Sequence, residues 1–279
     1  MKKLLKLIQK DKKYQQIVND LSQEKDCHVH GLWGSSAAYF VASLATNRSF
    51  SGKREILFVT PTIEDAEEVF EDTNIFLSGD VILFPVSEDT LPTESQLDNQ
   101  AHVQQLNILH KLLNNDKDSS NKSTTRIIVA PVQALLQQVP LPEMIEQNIL
   151  TIKIGQEHKQ ECILNWLIEG GFERTSMVEL PGEFSLRGGI VDIFPYSSDM
   201  PYRIEFFGDE VVSIRMFDAE TQMSENEVNE CQILGVQTDS KSVSGGAIST
   251  LINYMPEDSW IVFKEFEKIE NKAKSIINN

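Results

Sequence analysis

Cysteine, long apolar runs and positive charge are all scarce in this chain of 279 residues. The three cysteines, Cys27, Cys162 and Cys231, are odd in number and widely spaced. They show neither a disulfide framework nor the spacing of a zinc site, which favours a reduced setting. No apolar run approaches the roughly 20 residues that a membrane helix needs, and the N-terminal MKKLLKLIQKDKK is too charged for a secretory signal. We therefore expect a cytoplasmic protein with no membrane partner.

Positive charge is outnumbered, because 25 Lys and Arg stand against 42 Asp and Glu and give a formal net charge of −17. No Lys or Arg occurs between Arg54 and Lys111. Binding to duplex DNA requires Lys and Arg to displace counterions from phosphates. The chain is therefore a poor stand-alone DNA binder, although its charge does not exclude DNA contact through a larger assembly.

The first half of the chain alternates helix-like and strand-like segments. Residues 1–25 have helical apolar spacing with room for a break in the middle. Strand-like runs follow at 27–31, 55–60, 81–84 and 126–130, with a helix-like stretch after each. Thr62 is placed to cap one of these helices, with Glu64 and Asp65 in its first turn. This alternation predicts a parallel sheet with helices on both faces, which we assign to residues 1–147.

A different pattern begins near residue 148. Four strand-like runs follow in quick succession at 182–187, 190–195, 202–207 and 211–217. Gly188-Gly189 and Gly208-Asp209 supply the turn residues of hairpins. We expect residues 148–221 to form an inserted small α+β domain with an antiparallel sheet. Residues 222–279 are expected to return to the first region, in truncated form, so that the overall fold class is α/β with an insertion.

One turn in the first region has the position of a phosphate-binding loop but lacks its chemistry. A working loop reads G-x-x-G-x-G-K-T; its lysine meets the β and γ phosphates and its hydroxyl group holds magnesium. This sequence keeps Gly31 and Gly34 but has Ser36, Ala37 and Ala38 in place of the last glycine, the lysine and the hydroxyl residue. We expect the loop to be non-functional, because phosphoryl transfer would lose its main electrostatic stabilisers.

No catalytic residue, cofactor or metal is expected in this part of the protein. A strand at Cys27–Gly31 would send His28 and His30 to one face and Cys27 to the other, with no fourth metal ligand nearby. Trp33 is expected to fill the space that a nucleotide would occupy. The chain is therefore interpreted as a non-enzyme, and the alternative is an ATPase half-site that uses a partner domain.

One long block of sequence carries a family resemblance. Residues 182–217, GEFSLRGGIVDIFPYSSDMPYRIEFFGDEVVSIRMF, and the DAETQ that follows closely resemble the start of the bacterial transcription-repair coupling factors. The same block looks like the inserted domain of the excision-repair protein UvrB, which binds UvrA. EILFVTP, FPVSEDTLP, RIIVAPVQALLQQVP and YMPEDSWIVF extend the resemblance over nearly the whole chain. FPVSEDTLP and the missing lysine favour the coupling factors, because UvrB keeps an intact phosphate loop.

The resemblance implies both a fold and a function. Coupling factors are larger ATP-driven DNA translocases, and no helicase motif is present here, so we expect an N-terminal, UvrB-like region without its motor. This region would recruit UvrA to stalled RNA polymerase in transcription-coupled nucleotide excision repair, without hydrolysing nucleotide itself. ATP, magnesium, DNA and RNA polymerase would be bound by the rest of the full-length protein. The alternative is a UvrB-like ATPase domain that binds nucleotide and damaged DNA.

The resemblance also singles out four charged residues for UvrA binding. Arg174 of the GFER run and Arg187 of the LRGG run look like the arginine-bearing segments of the UvrB domain, and Arg203 and Glu205 match a further charged pair. Strand alternation places Arg203 and Glu205 on one face, and a Gly-Gly turn lets Arg187 project into solvent. Ser185 departs from UvrB, which has another arginine there. The alternative is that all four are ordinary solvated charges.

Overall fold

The computed structural model describes residues 2–50, 55–77, 81–87, 96–114, 125–236 and 249–278. Its helices are α1 (Lys2–Ile8), α2 (Lys12–Ser22), α3 (Ser36–Ala45), α4 (Ile63–Phe76), α5 (Gln96–Asn114), α6 (Val132–Leu136), α7 (Pro142–Gln147), α8 (Gln160–Glu169) and α9 (Phe266–Ile277). Short 3-10 turns lie at Arg48–Phe50 and Leu251–Tyr254. Within the described residues, no helix is long and apolar enough to cross a membrane.

The strands of these described residues form three sheets. They are β1 (Ile56–Thr60), β2 (Val81–Leu83), β3 (Ile127–Pro131), β4 (Ile149–Lys153), β5 (Glu173–Arg174), β6 (Glu183–Arg187), β7 (Ile190–Ile193), β8 (Tyr202–Phe207), β9 (Glu210–Phe217), β10 (Ser224–Glu227), β11 (Glu230–Leu234) and β12 (Trp260–Phe263). One sheet has the order β12-β1-β3-β2, the second has β10-β9-β8-β7-β6-β5, and β11 pairs with β4. The chain divides into two compact units, one of residues 1–91, 112–139 and 249–279 and one of residues 92–111 and 140–248.

The first unit contains the parallel sheet. Every residue of β1 and β3 is buried, so both faces of these two strands are covered, as an α/β arrangement requires. Ile56 and Phe58 pack with the N-terminal helices in one core, where the Tyr14 hydroxyl also donates to the carbonyl of Ser43 at 2.9 Å. The alternating pattern therefore predicts this sheet correctly, and the predicted N-terminal helix is two helices with a break before Asp11, which caps α2.

The second unit contains the other two sheets around a shared core, and all their strand pairs are antiparallel except the parallel pair of β5 and β6. Apolar residues from α8, β4, β11 and the six-stranded sheet pack in this core: Ile152, Ile163, Leu167, Phe172, Phe184, Val191, Ile193, Ile204, Phe206, Val211, Ile214, Cys231 and Ile233. The antiparallel pairing continues beyond residue 221, where we expected the inserted domain to end. Strand β10 pairs with β9, and β11 pairs with β4 along its whole length.

One predicted strand is wrong. Residues 27–31 form no strand and are largely exposed. Strand β1 has β12 on one side and β3 on the other, so both of its edges are already paired. Residues 114–125 are polar and small, which predicts a surface loop, and they lie largely outside the described residues.

Candidate functional site

One face of the six-stranded sheet packs on the apolar core, and the opposite face carries charged side chains together with a small apolar cluster of Val178, Phe194 and Phe217. Alternation along β8 places Ile204 and Phe206 in the core, so that Arg203, Glu205 and Phe207 lie on the opposite face. The strand register then aligns one row of residues across five strands of this face: Ser185, Asp192, Arg203, Arg215 and Glu227. We call this face, defined by Arg187, Asp192, Arg203, Glu205, Phe207 and Arg215, the charged face.

Asp192 lies at the centre of the charged face and is completely buried. Its Oδ1 accepts a hydrogen bond from Nε of Arg203 at 2.8 Å, and its Oδ2 accepts from Nη2 of Arg203 at 3.0 Å. The same Oδ2 accepts from Nη2 of Arg187 at 2.6 Å. One carboxylate therefore joins two of the predicted binding residues, and its charge is paired on both oxygens, as burial requires.

Arg203 is held inside the face and presents little surface. Its side chain is only 16% exposed. Besides its two bonds to Asp192, Nη1 donates to the carbonyl of Gln222 at 3.3 Å, and the guanidinium lies 4.4 Å from the ring centroid of Phe217. Hydrogen bonding to Asp192 raises the pKa of the Arg203 guanidinium, against the opposing effect of burial. Arg203 is therefore a mostly covered side chain whose guanidinium is paired within the domain.

Arg187 and Glu205 are more accessible. Arg187 ends β6 before the Gly188 turn, and its side chain is 52% exposed while it donates to Asp192. Glu205 accepts a hydrogen bond from Nη2 of Arg215, and both side chains are about one-third exposed, at 31% and 36%. The structure thus brings Arg187, Arg203 and Glu205 onto one face, as the strand alternation predicts.

Arg174 lies apart from this group. It is the last residue of β5, at the edge of the sheet, and its register partner is Phe184, a residue of the core face. Arg174 is exposed and forms no ion pair or side-chain hydrogen bond with another residue that the structure describes. It is free to contact a partner, but from a different side of the sheet than Arg187.

Phe207 is a residue of the charged face that the sequence interpretation missed. Its side chain is 81% exposed at the end of β8, before Gly208, whose φ of +65° makes the turn. The backbone N–H of Phe206 donates to the carbonyl of Gly189 at 2.8 Å, so the β6–β7 and β8–β9 hairpin ends lie side by side. The signal was the FF pair itself, because two consecutive strand residues cannot both face the core.

Comparison with known proteins places this face in a named domain. Residues 150–238 match the family described as the UvrB interaction domain. The transcription-repair-coupling factor of Bacillus subtilis (strain 168) is 32% identical over 213 residues, which are 76% of this chain and 17% of that protein. The protein of the same name from Staphylococcus haemolyticus is 30% identical over 81% of this chain and 18% of its own length. The chain belongs to the transcription-repair-coupling factor family.

Two details follow for this coupling-factor chain. It spans less than a fifth of the length of these relatives, at 17% and 18%. The matched domain also reaches residue 238, and so it includes β10 and β11 together with the strands of the charged face. The resemblance seen in the sequence is confirmed, and the charged face lies wholly within the UvrB interaction domain.

The phosphate-loop turn of this coupling-factor chain is open and has no cationic side chain of its own. Gly31 and Gly34 have φ values of +82° and +53°, and α3 begins at Ser36, whose Oγ donates to the carbonyl of Trp33 at 2.7 Å. Ala38 is buried in α3, and no Lys or Arg occurs in residues 26–47. Trp33 is 86% exposed, so the expectation that it fills a nucleotide space is wrong.

Metal-binding side chains do not converge in the part of the chain that the structure describes. Those residues contain no group of three or more His, Cys, Asp or Glu that could hold an ion. His28 and His30 lie in the exposed segment before the turn.

Proposed function

We propose that this chain is the UvrA-recruiting module of a transcription-repair coupling factor, and that its charged face binds UvrA. The observation that carries the proposal is the position of the charged face, which presents an accessible arginine and an exposed phenylalanine within the matched UvrB interaction domain. In transcription-coupled nucleotide excision repair, such a module would bring UvrA to a stalled RNA polymerase. RNA polymerase and DNA would be engaged by other regions of the full-length protein.

The chemistry of the face indicates what UvrA must offer. Arg187 has a half-exposed guanidinium whose planar fork pairs bidentately with a carboxylate. Phe207 is an aromatic anchor that would gain from burial in an apolar pocket. Buried aromatic and arginine side chains of this kind carry most of the binding energy in protein interfaces. Arg203 and Glu205 would complete the face through their exposed fractions, and Arg174 would make a separate contact.

We propose that the chain neither binds nor hydrolyses nucleotide by itself and acts in the cytoplasm. The exposed turn at Gly31–Ala38 offers no lysine to a triphosphate and no hydroxyl group at the position that holds magnesium. ATP and magnesium would act only through the motor of the full-length protein. Calorimetry tests this part of the proposal, because saturable micromolar binding of ATP with magnesium would contradict it.

The main test is a titration of purified UvrA against the chain. Arg187→Ala and Phe207→Ala are each expected to weaken binding by about tenfold or more, and Arg174→Ala by less. Lys272→Ala and Phe266→Ala are matched controls, because they remove an exposed cation and an exposed phenylalanine from α9, in the other unit. Binding that is unchanged by both Arg187→Ala and Phe207→Ala would contradict the proposal.

A further inference from the structure

We propose that Asp192 is a positioning residue for UvrA binding: from inside the sheet it fixes the guanidinium of Arg187, so that Arg187 meets a carboxylate of UvrA already oriented. This inference rests on the proposed function above. It divides the roles on the charged face, because Arg187 would contact UvrA directly, whereas Asp192, which has no exposed surface, would act through Arg187.

The first step concerns how Arg203 and Arg187 share the two carboxylate oxygens of Asp192. Arg203 takes both of them in a fork, at 2.8 and 3.0 Å, and Arg187 shares Oδ2 at 2.6 Å. Asp192 has no exposed surface, so it cannot contact a partner itself. Its position in β7 is set by ladder pairing on both sides, to Ser185 of β6 and to Arg203 of β8. The acceptor that Arg187 uses is therefore rigidly placed.

The second step is that Arg203 already neutralises the buried carboxylate. Its guanidinium is 16% exposed and is held by Asp192, the carbonyl of Gln222 and the ring of Phe217. Asp192 and the two arginines together carry two positive charges and one negative charge. The surplus positive charge lies at the accessible end of the group, on Arg187, whose side chain is 52% exposed.

The third step concerns the cost of ordering an arginine at an interface. A free arginine loses most of its rotamer freedom when a partner binds it, and this loss is subtracted from the affinity. Arg187 is already tethered through one N–H, and its other N–H groups make no hydrogen bond to another residue that the structure describes. Those groups remain to pair with a carboxylate, and the fixed guanidinium binds it with less loss of freedom.

The test is a double-mutant cycle with UvrA and the whole chain. Binding is measured for the wild type, Arg187→Ala, Asp192→Asn and the two substitutions combined. Each single substitution is expected to weaken binding by about tenfold. The double variant is expected to bind no more weakly than Arg187→Ala, because Asp192 acts only through Arg187. Ser185→Ala is the control, since Ser185 aligns with Asp192 but its buried hydroxyl has no hydrogen-bond partner among the described residues.

Each other outcome has a defined meaning. Losses that add up in the double variant, or an Asp192→Asn variant that binds like the wild type, would overturn the positioning role. Wild-type protein that fails to bind UvrA would overturn the proposed function instead. A second measurement needs no UvrA. NMR relaxation of the Arg187 side-chain nitrogens is expected to show greater mobility of this side chain in Asp192→Asn than in the wild type. Unchanged mobility would also overturn the positioning role.

A folding defect can be separated from a binding defect. If Asp192→Asn alone does not fold, because Arg203 is left without its counterion, Asp192→Asn combined with Arg203→Gln removes both buried charges together. The cycle with Arg187→Ala is then measured in that background. Binding by this pair variant at wild-type strength would show that Arg187 needs no anchor.

Discussion

The thiols of the inserted domain illustrate how burial alone changes the chemistry of a residue. Cys231 lies in β11 with 3% of its surface exposed, and burial, with a smaller contribution from the charge of Glu230, raises the pKa of its thiol to about 12. Cys162 is exposed on α8. Because the thiolate is the reactive form, burial of Cys231 both blocks access to its sulfur and suppresses its ionisation.

We predict that iodoacetamide at pH 8 modifies Cys162 rapidly in the folded protein and leaves Cys231 unmodified. At that pH the Cys231 thiolate fraction is on the order of 1 in 10,000, which follows from a pKa of about 12. Peptide mass spectrometry over a time course measures both rates. In urea the rates are expected to converge, and equal rates in the folded protein would contradict the burial of Cys231.

At the level of single residues, the sequence predicts some features of the charged face and not others. Arg203 and Glu205 share a face because a strand has a period of two, and that much follows from YRIEFF alone. The burial of Arg203 does not follow, since it depends on Asp192 from β7, on the carbonyl of Gln222 and on the ring of Phe217. An acidic residue between Val191 and Ile193 was the available signal, but only the strand register shows which arginines it meets.

Among the elements, α4 is the clearest case of a helix whose start is set locally. Thr62 Oγ1 accepts the backbone N–H of Asp65 at 3.1 Å, and Thr62 Oγ1 donates to Oδ2 of Asp65 at 2.8 Å. Glu64 and Asp65 lie in the first turn, where their charge favours the helix dipole. The capping role of Thr62 was therefore predictable from three neighbouring residues.

We predict that Thr62→Ala lowers the free energy of unfolding by about 1 kcal/mol, because it leaves a helix N–H without its cap. Urea denaturation followed by circular dichroism measures the loss. Thr62→Ser keeps the hydroxyl and is expected to restore most of the stability. A Thr62→Ala variant as stable as the wild type would mean that water replaces the cap at no cost.

Two other elements show where local patterns fail. Residues 27–31 alternate like a strand but pair with no other described segment, because alternation alone does not supply a pairing partner. Strand β10 is the opposite case. Its sequence SENE is fully exposed and lacks the apolar alternation of a strand, yet it pairs with β9. Whether a segment at a sheet edge forms a strand thus depends more on the strand next to it than on its own sequence.

At the scale of the whole molecule, the UvrB interaction domain has a core made from its own residues. The core that joins Ile152, Phe184, Ile204 and Ile233 draws all its buried members from residues 152–233. Strands β4 and β11 pair over their full lengths, from Ile149 with Leu234 to Lys153 with Glu230. This pairing closes the domain at the place where the chain enters and leaves it.

We predict that residues 148–238, expressed alone, fold cooperatively and retain the charged face. Near-ultraviolet circular dichroism and urea unfolding measure this. A shorter fragment starting at residue 155 lacks β4, the described pairing partner of β11, and is expected not to fold cooperatively. A longer fragment without a cooperative transition would mean that the domain needs α5 or α7 as well.

Antiparallel partners lie about 5 Å apart, and the N–H of Gly235 donates to the carbonyl of Asn148 at 2.9 Å. The two ends of the inserted domain therefore leave it as a single narrow stem. Closely spaced ends are what lets a domain be inserted into another chain. The charged face, proposed above to bind UvrA, is therefore carried by a module that the rest of the chain joins at one place.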